Sequence, residues 1–131
     1  MVVLTSAVVP PTERPYVRTL YVAGGPAHKR NVGVRLTRAS VVVFLDDDVE
    51  ISPYALYESW RWLEDHPRCG MAFAKIYKMA AGRRDEFDDC GSWLTWVGFL
   101  WARAGNSQRD TGQCETPVMC LGSKSATCAI P

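Results

Sequence analysis

A chain of 131 residues, 47% hydrophobic and 22% charged, has enough apolar material for one folded domain and too much for a disordered segment. A formal net charge of +1 supplies no general attraction to nucleic acid or to an anionic membrane, so binding preference has to come from local clusters. The five cysteines are odd in number, include no C-x-x-C pair and mostly sit among apolar or small residues, which reads as reduced structural thiols in a cytosolic protein. Zinc is not expected, because His28 and His66 lie far from any paired cysteine spacing.

Taken in chain order, Val2 to Val9 reads as a short strand stopped by Pro10 and Pro11, without the basic stretch that opens a signal peptide. Val17 to Ala23 alternates as a second strand and stops at Gly24 and Gly25. Pro26 then suits a helix start, and the spacing predicts a helix over Ala27 to Arg38 with a mixed rather than greasy face. Ser40 to Leu45 is a continuous β-branched and aromatic run, as in a central strand covered on both sides. Ser52 as cap and Pro53 as first residue predict a second helix to about His66, with Leu56, Trp60 and Leu63 as its apolar stripe.

Gly70 to Lys78 alternates as one strand. Residues 80–89 read as a polar loop, whose acids Asp85, Glu86, Asp88 and Asp89 are expected to be solvated. Trp93 to Ala102 reads as a strand or short helix, and its ten residues are too few for a membrane span, which needs roughly 20. Residues 103–117 read as loop, and a last strand falls within Val118 to Ile130. Helices and strands in this alternation give a three-layer α/β domain, with the later, loop-rich part folded over one sheet edge.

The three aspartates Asp46, Asp47 and Asp48 begin where the central strand ends, the edge at which open α/β sheets bind ligands. If the chain stays extended, Asp46 and Asp48 point one way and Asp47 the other. Two carboxylates about 6 Å apart at an effective dielectric near 20 repel by roughly 3 kcal/mol, which a divalent cation would remove. Magnesium or manganese takes one or two carboxylates together with substrate phosphate oxygens, so a D-x-D pair here suits a nucleoside diphosphate. The competing structural reading is a solvated turn with one acid capping the next helix. A calcium loop would need Gly where Ile51 stands, and a phosphatase with Asp46 as nucleophile would need Thr or Val where Glu50 stands.

The stretch "AGGPAHKRNVGVRLTRASVVVFLDDDVEISPYAL" resembles the family-two glycosyltransferases, in a pattern of R-N-x-G helix, apolar strand, aspartate motif and proline. "DDCGSWLTWVGFLWARAG" and "DTGQCETPVMCLGSKSATCAI" are similar to the middle segment of the same family, so the likeness covers about residues 20–130. It implies an α/β, three-layer GT-A-like (Rossmann-like) mixed sheet. The matching positions would make Asp48 the main ligand of Mg2+ or Mn2+ with Asp46 assisting, Asp46 or Asp47 a contact to ribose or sugar, and Arg30 and Asn31 contacts to the nucleotide. Trp93, Trp96 and Trp101 would be an acceptor-sugar platform or would pack under the late loop, while Lys29, Arg35 and His28 are equally at home in solvent.

The family pattern begins with a longer nucleotide-binding portion and continues to a G-G-F-D segment and an E-D motif whose Asp is the general base. A partial domain, incomplete at both ends, is therefore expected over residues 1–131. About residues 20–80 would hold metal and nucleotide sugar, 81–131 would form the acceptor side, and the general base would lie beyond Pro131. The implied reaction is inverting, metal-dependent transfer from a nucleotide-diphosphate sugar to a hydroxyl of a glycan, lipid-linked or protein acceptor, in the manner of cell-envelope polysaccharide synthesis. The expected location is the cytoplasm or the cytosolic membrane face. The alternatives are a non-catalytic nucleotide-sugar or metal-binding module and an Asp-nucleophile phosphotransfer enzyme.

Overall fold

The computed structural model describes residues 2–5, 14–79, 85–105, 107–124 and 127–131. Backbone packing divides the chain into two units, Met1–Val42 and Val43–Pro131.

In the first unit, β1 (Val2–Thr5) and β2 (Arg18–Tyr21) pair in parallel, with Val2 opposite Arg18 and Leu4 opposite Leu20. Helix α1 runs from Pro26 to Leu36, two residues shorter at its end than the pattern suggested. Pro26 stands in the first turn, where a missing N–H costs nothing, and Gly25 gives its carbonyl to the Lys29 N–H at 3.1 Å. The helix closes at Thr37, whose N–H bonds back to the Val34 carbonyl and whose hydroxyl accepts the Ala39 N–H. No α1 residue is fully buried, in keeping with its mixed face. Gly33 lies against Leu4: a Cβ there would stand 3.3 Å from the Leu4 Cδ1.

The second unit is built on a three-stranded sheet in which β9 (Thr127–Ile130) lies between β3 (Val42–Leu45) and β4 (Ala72–Phe73). β4 and β9 are antiparallel, with Ala72 opposite Ala129 and Phe73 opposite Cys128. Helix α2 (Ala55–Asp65) connects β3 to β4.

Helix α2 departs from expectation in two respects. It begins at Ala55, because Ser52 forms a preceding turn: its carbonyl takes the Ala55 N–H at 3.0 Å and its hydroxyl sits 3.5 Å from the Tyr54 nitrogen. The face turned inward is also rotated by about one residue. Ala55, Ser59, Trp62 and Leu63 are the sequestered positions, while Leu56 and Trp60 remain exposed. Small side chains at 55 and 59 let the helix approach Ala72, Ala74 and Ala129, which a stripe of Leu56 and Trp60 would hold off.

The single strand expected over residues 70–78 is two. β4 belongs to the first sheet, and after Ala74 and Lys75 the chain enters β5 (Ile76–Tyr77), which pairs with β6 (Phe87–Asp89). Residues 80–84 of the expected loop lie outside the described residues, but 87–89 are strand. Phe87 is 0% exposed and Asp89 5%. They occupy alternate positions on one side of β6, so the period of two was present but hidden by the four acids of residues 85–89, which have low strand propensity. Phe87 stacks on Tyr77 at 5.1 Å and forms a core with Cys90, Ala104 and Cys114. Residues 107–110 bond to the free side of β6 through Phe87 N–H to Gln108 O and Asp110 N–H to Asp85 O.

Trp93 to Ala102 resolves into a hairpin of β7 (Ser92–Leu94) and β8 (Leu100–Ala102), with Trp93 opposite Trp101. Among the described residues the last strand is Thr127–Ile130, and residues 118–121 are irregular. All five cysteines are free thiols, with Cys90, Cys114 and Cys128 buried. Among the described residues no helix is long and apolar enough to cross a membrane.

Candidate active site

β3 ends at Leu45, and Asp46 follows it directly. Asp47 and Asp48 form a turn. The extended alternation that would set Asp46 and Asp48 on one side is therefore not what the chain adopts, consistent with the preference of Asp for turns. Asp46 is half-buried, and Asp47 and Asp48 are exposed. Among the described residues no three His, Cys, Asp or Glu side chains converge closely enough to hold a metal ion by themselves.

The second unit also carries a crevice of about 550 Å³ bounded by α2, β4 and residues 114–121. Its wall is mostly apolar or sulfur-bearing, including Phe73, Cys90, Cys114 and Met119, with Lys75 and Arg103 as its cations. Arg103 is held by its guanidinium, which donates to the carbonyls of Gln113 and Thr116. Lys75 reaches Glu115 at 2.8 Å and Asp110 at 3.6 Å. The Glu115 hydrogen bond raises the Lys75 pKa well above its ordinary value, against the opposing effect of burial. Tyr77 donates to Asp110, and the Gly112 N–H adds a second bond. These hold the Asp110 carboxyl below the usual range, the Tyr77 bond first. Burial, and then Asp110, raises the Tyr77 phenol. Burial followed by the hydrogen bond with Cys114 pushes the Cys90 thiol up to about 12.

A family model described as glycosyl transferase family 2 matches residues 13–128. The chain belongs to glycosyl transferase family 2. No curated protein and no solved structure matches it. Membership supports glycosyl transfer in general and implies a nucleotide-sugar donor and an acceptor.

Within this glycosyltransferase chain the residues singled out from sequence fall in separate places. Arg30, half-buried, and Asn31, exposed, are on α1 of the first unit; Asp46, Asp47 and Asp48 are in the second. Of the three tryptophans, Trp93 is tied to the late loop by its indole N–H, which donates to the Met119 carbonyl at 3.1 Å. Trp96 at the hairpin tip is 97% exposed, and Trp101 is largely exposed, so neither packs under that loop. Sequence reasoning placed Asp89 in a solvated acidic run, which the family resemblance would set near the active-site rim, and did not expect its burial. Its signal was the spacing of two from Phe87.

Proposed function

We propose that this chain forms the donor-binding part of a metal-dependent, inverting glycosyltransferase that uses a nucleotide-diphosphate sugar. The observation that carries the reading is the Asp46–Asp48 turn at the end of β3 in a chain of this family. Hard oxygen donors at an open sheet edge suit Mg2+ or Mn2+, which needs one or two protein carboxylates and completes its shell with phosphate and water. Asp48 would be the principal ligand and Asp46 the second, with Asp46 or Asp47 also meeting ribose or sugar. When bound, the ion would offset the charge developing on the departing diphosphate. Arg30 and Asn31 would face the nucleotide, the guanidinium matching phosphate in charge and shape.

On the acceptor side, Trp93 and Trp101 are cross-strand partners on one face of the hairpin, and aromatic faces of this kind stack on the apolar faces of sugars. A glycan, lipid-linked or protein-linked acceptor hydroxyl is the fitting nucleophile, and the cytosol or its membrane face, where nucleotide sugars are available, is the fitting location.

Calorimetry of UDP, GDP and dTDP with and without Mn2+ tests the reading. At least one should bind only with the metal, and Asp48→Ala should weaken it by about tenfold or more, the loss of one charged ligand. Metal-independent binding, or no binding of any of the three, would sink it.

A further inference from the structure

The hairpin of β7 and β8 turns apolar side chains to solvent on both of its faces. Trp93 and Trp101 are paired on one face and Leu94 and Leu100 on the other, because successive residues of a strand point to opposite sides. Phe99, Leu100 and Trp101 are 67–72% exposed, and Trp96 at the tip stands almost wholly in solvent. From Trp93 to Ala102 the sequence holds no charged residue, and Thr95 carries its only hydroxyl. The apolar surface continues onto residues 118–121, where Met119 and Leu121 are exposed. That segment is bonded to β7 by the Trp93 indole on the Met119 carbonyl and by the Leu121 N–H on the Ser92 carbonyl at 2.9 Å. Single exposed apolar residues are ordinary, whereas a continuous ribbon of them marks an interaction surface.

The geometry separates the possible occupants. A protein partner or a second copy lies against one face of a ribbon or pairs with its edge, and leaves the other face and the tip in water. A lipid phase surrounds all three. Backbone groups carried into lipid have to be bonded within the segment, and those of this turn are. The Thr95 N–H donates to the Phe99 carbonyl at 2.7 Å and the Gly98 N–H to the Thr95 carbonyl at 2.9 Å. The Thr95 hydroxyl accepts the Phe99 N–H at 3.0 Å, so the one hydroxyl of the segment is used by its own turn.

Charge fits the same occupant. Arg103 directly follows β8, and its guanidinium donates to the carbonyls of Gln113 and Thr116. Among the described residues no carboxylate pairs with it, so its charge at the base of the hairpin is complementary to lipid phosphate. From Ser92 to Trp96 an extended chain advances roughly 13 Å at about 3.3 Å per residue, less than half of a hydrocarbon core of about 30 Å. The hairpin is long enough to enter one leaflet and too short to span.

We propose that the β7–β8 hairpin docks the chain on a phospholipid bilayer, seating Trp96, Val97 and Phe99 at the boundary between headgroups and acyl chains, with Trp93 and Trp101 nearer the water. Tryptophan favours that layer because its ring is apolar and its N–H is polar. The docking surface is independent of the donor site at Asp46–Asp48 and stands whether or not a nucleotide binds there.

The test is flotation of the chain with vesicles of phosphatidylcholine alone and of phosphatidylcholine with about one-third phosphatidylglycerol. Wild type is set beside Trp96→Ser and the double variant Trp96→Ser with Phe99→Ser, with thermal melts as the folding check. Wild type should float with both vesicles, more strongly with the anionic ones, and the double variant should partition about tenfold more weakly or less still. Lipids brominated near the headgroup should quench wild-type tryptophan fluorescence. No flotation of the wild type, or equal flotation of wild type and folded variants, would overturn the proposal. Flotation with anionic vesicles alone that raised salt abolishes would also overturn it, as contact without insertion. A wild-type dimer that the double variant converts to monomer, without flotation, would make this face an interface between copies. If both variants unfold, the brominated lipids decide: quenching upholds insertion, and its absence overturns it.

Discussion

Tyr77 donates its phenolic hydrogen to Asp110, 33 residues further along the chain, and so pins the 107–115 segment to β5. The bond lowers the Asp110 pKa and contributes to raising that of Tyr77 after burial. A carboxyl whose folded pKa is depressed stabilises the fold above its unfolded value, near 4, and loses that contribution as pH falls through the folded value. A phenol whose folded pKa is raised stabilises below its unfolded value, near 10, and loses that contribution as pH rises through the folded one. Urea midpoints should therefore form a plateau between about pH 4 and 10 with a shoulder on each side. Tyr77→Phe should lower the plateau and flatten both shoulders; an unchanged profile would show that the bond contributes nothing in solution.

Phe87 fills the centre of the core shared with Cys90, Ala104 and Cys114 and stacks on Tyr77. Truncation to alanine should cost about 3–5 kcal/mol, a large share of the stability of a small domain. Circular dichroism should show Phe87→Ala largely unfolded at 37 °C or with a melting point lower by many degrees. Phe87→Leu should keep most of the loss at bay, because the site needs volume more than aromaticity.

The thiols should separate by burial. Burial and the hydrogen bond with Cys114 push the Cys90 thiol up to about 12, which keeps its reactive thiolate scarce at pH 8. Cys69 and Cys120 are partly exposed, whereas Cys90, Cys114 and Cys128 are buried. Native iodoacetamide labelling followed by peptide mass spectrometry should find Cys69 and Cys120 modified first and the buried three only on addition of urea. Rapid native labelling of Cys90 would contradict the packed core.

Two glycines should respond in opposite directions to alanine. Gly91 has φ +94°, and a Cβ there would meet the Cys120 sulfur at 3.1 Å, so Gly91→Ala should destabilise by roughly 1–3 kcal/mol. Gly33 lies inside α1, where alanine gains about 1 kcal/mol of helix propensity, and its Cβ would meet only the mobile end of Leu4. Gly33→Ala should be neutral or mildly stabilising. Thermal melts of the two variants decide both signs.

Local pattern alone determined a good part of this protein. The two helices, the apolar strand that ends in three aspartates, the free cysteines and the family-two resemblance all follow from residues close together in the chain. Their periodicity and turn chemistry act over a few positions. Tertiary structure decided the rest: that β9 inserts between β3 and β4, that α2 turns Ala55 and Ser59 inward in place of Leu56 and Trp60, and that residues 70–78 divide between two sheets. It also decided that Asp89 is buried while Asp46 is half-buried and Asp47 and Asp48 are exposed. Ser123 and Lys124, 34 and 35 residues on, supply the hydrogen bonds that let one carboxylate leave water.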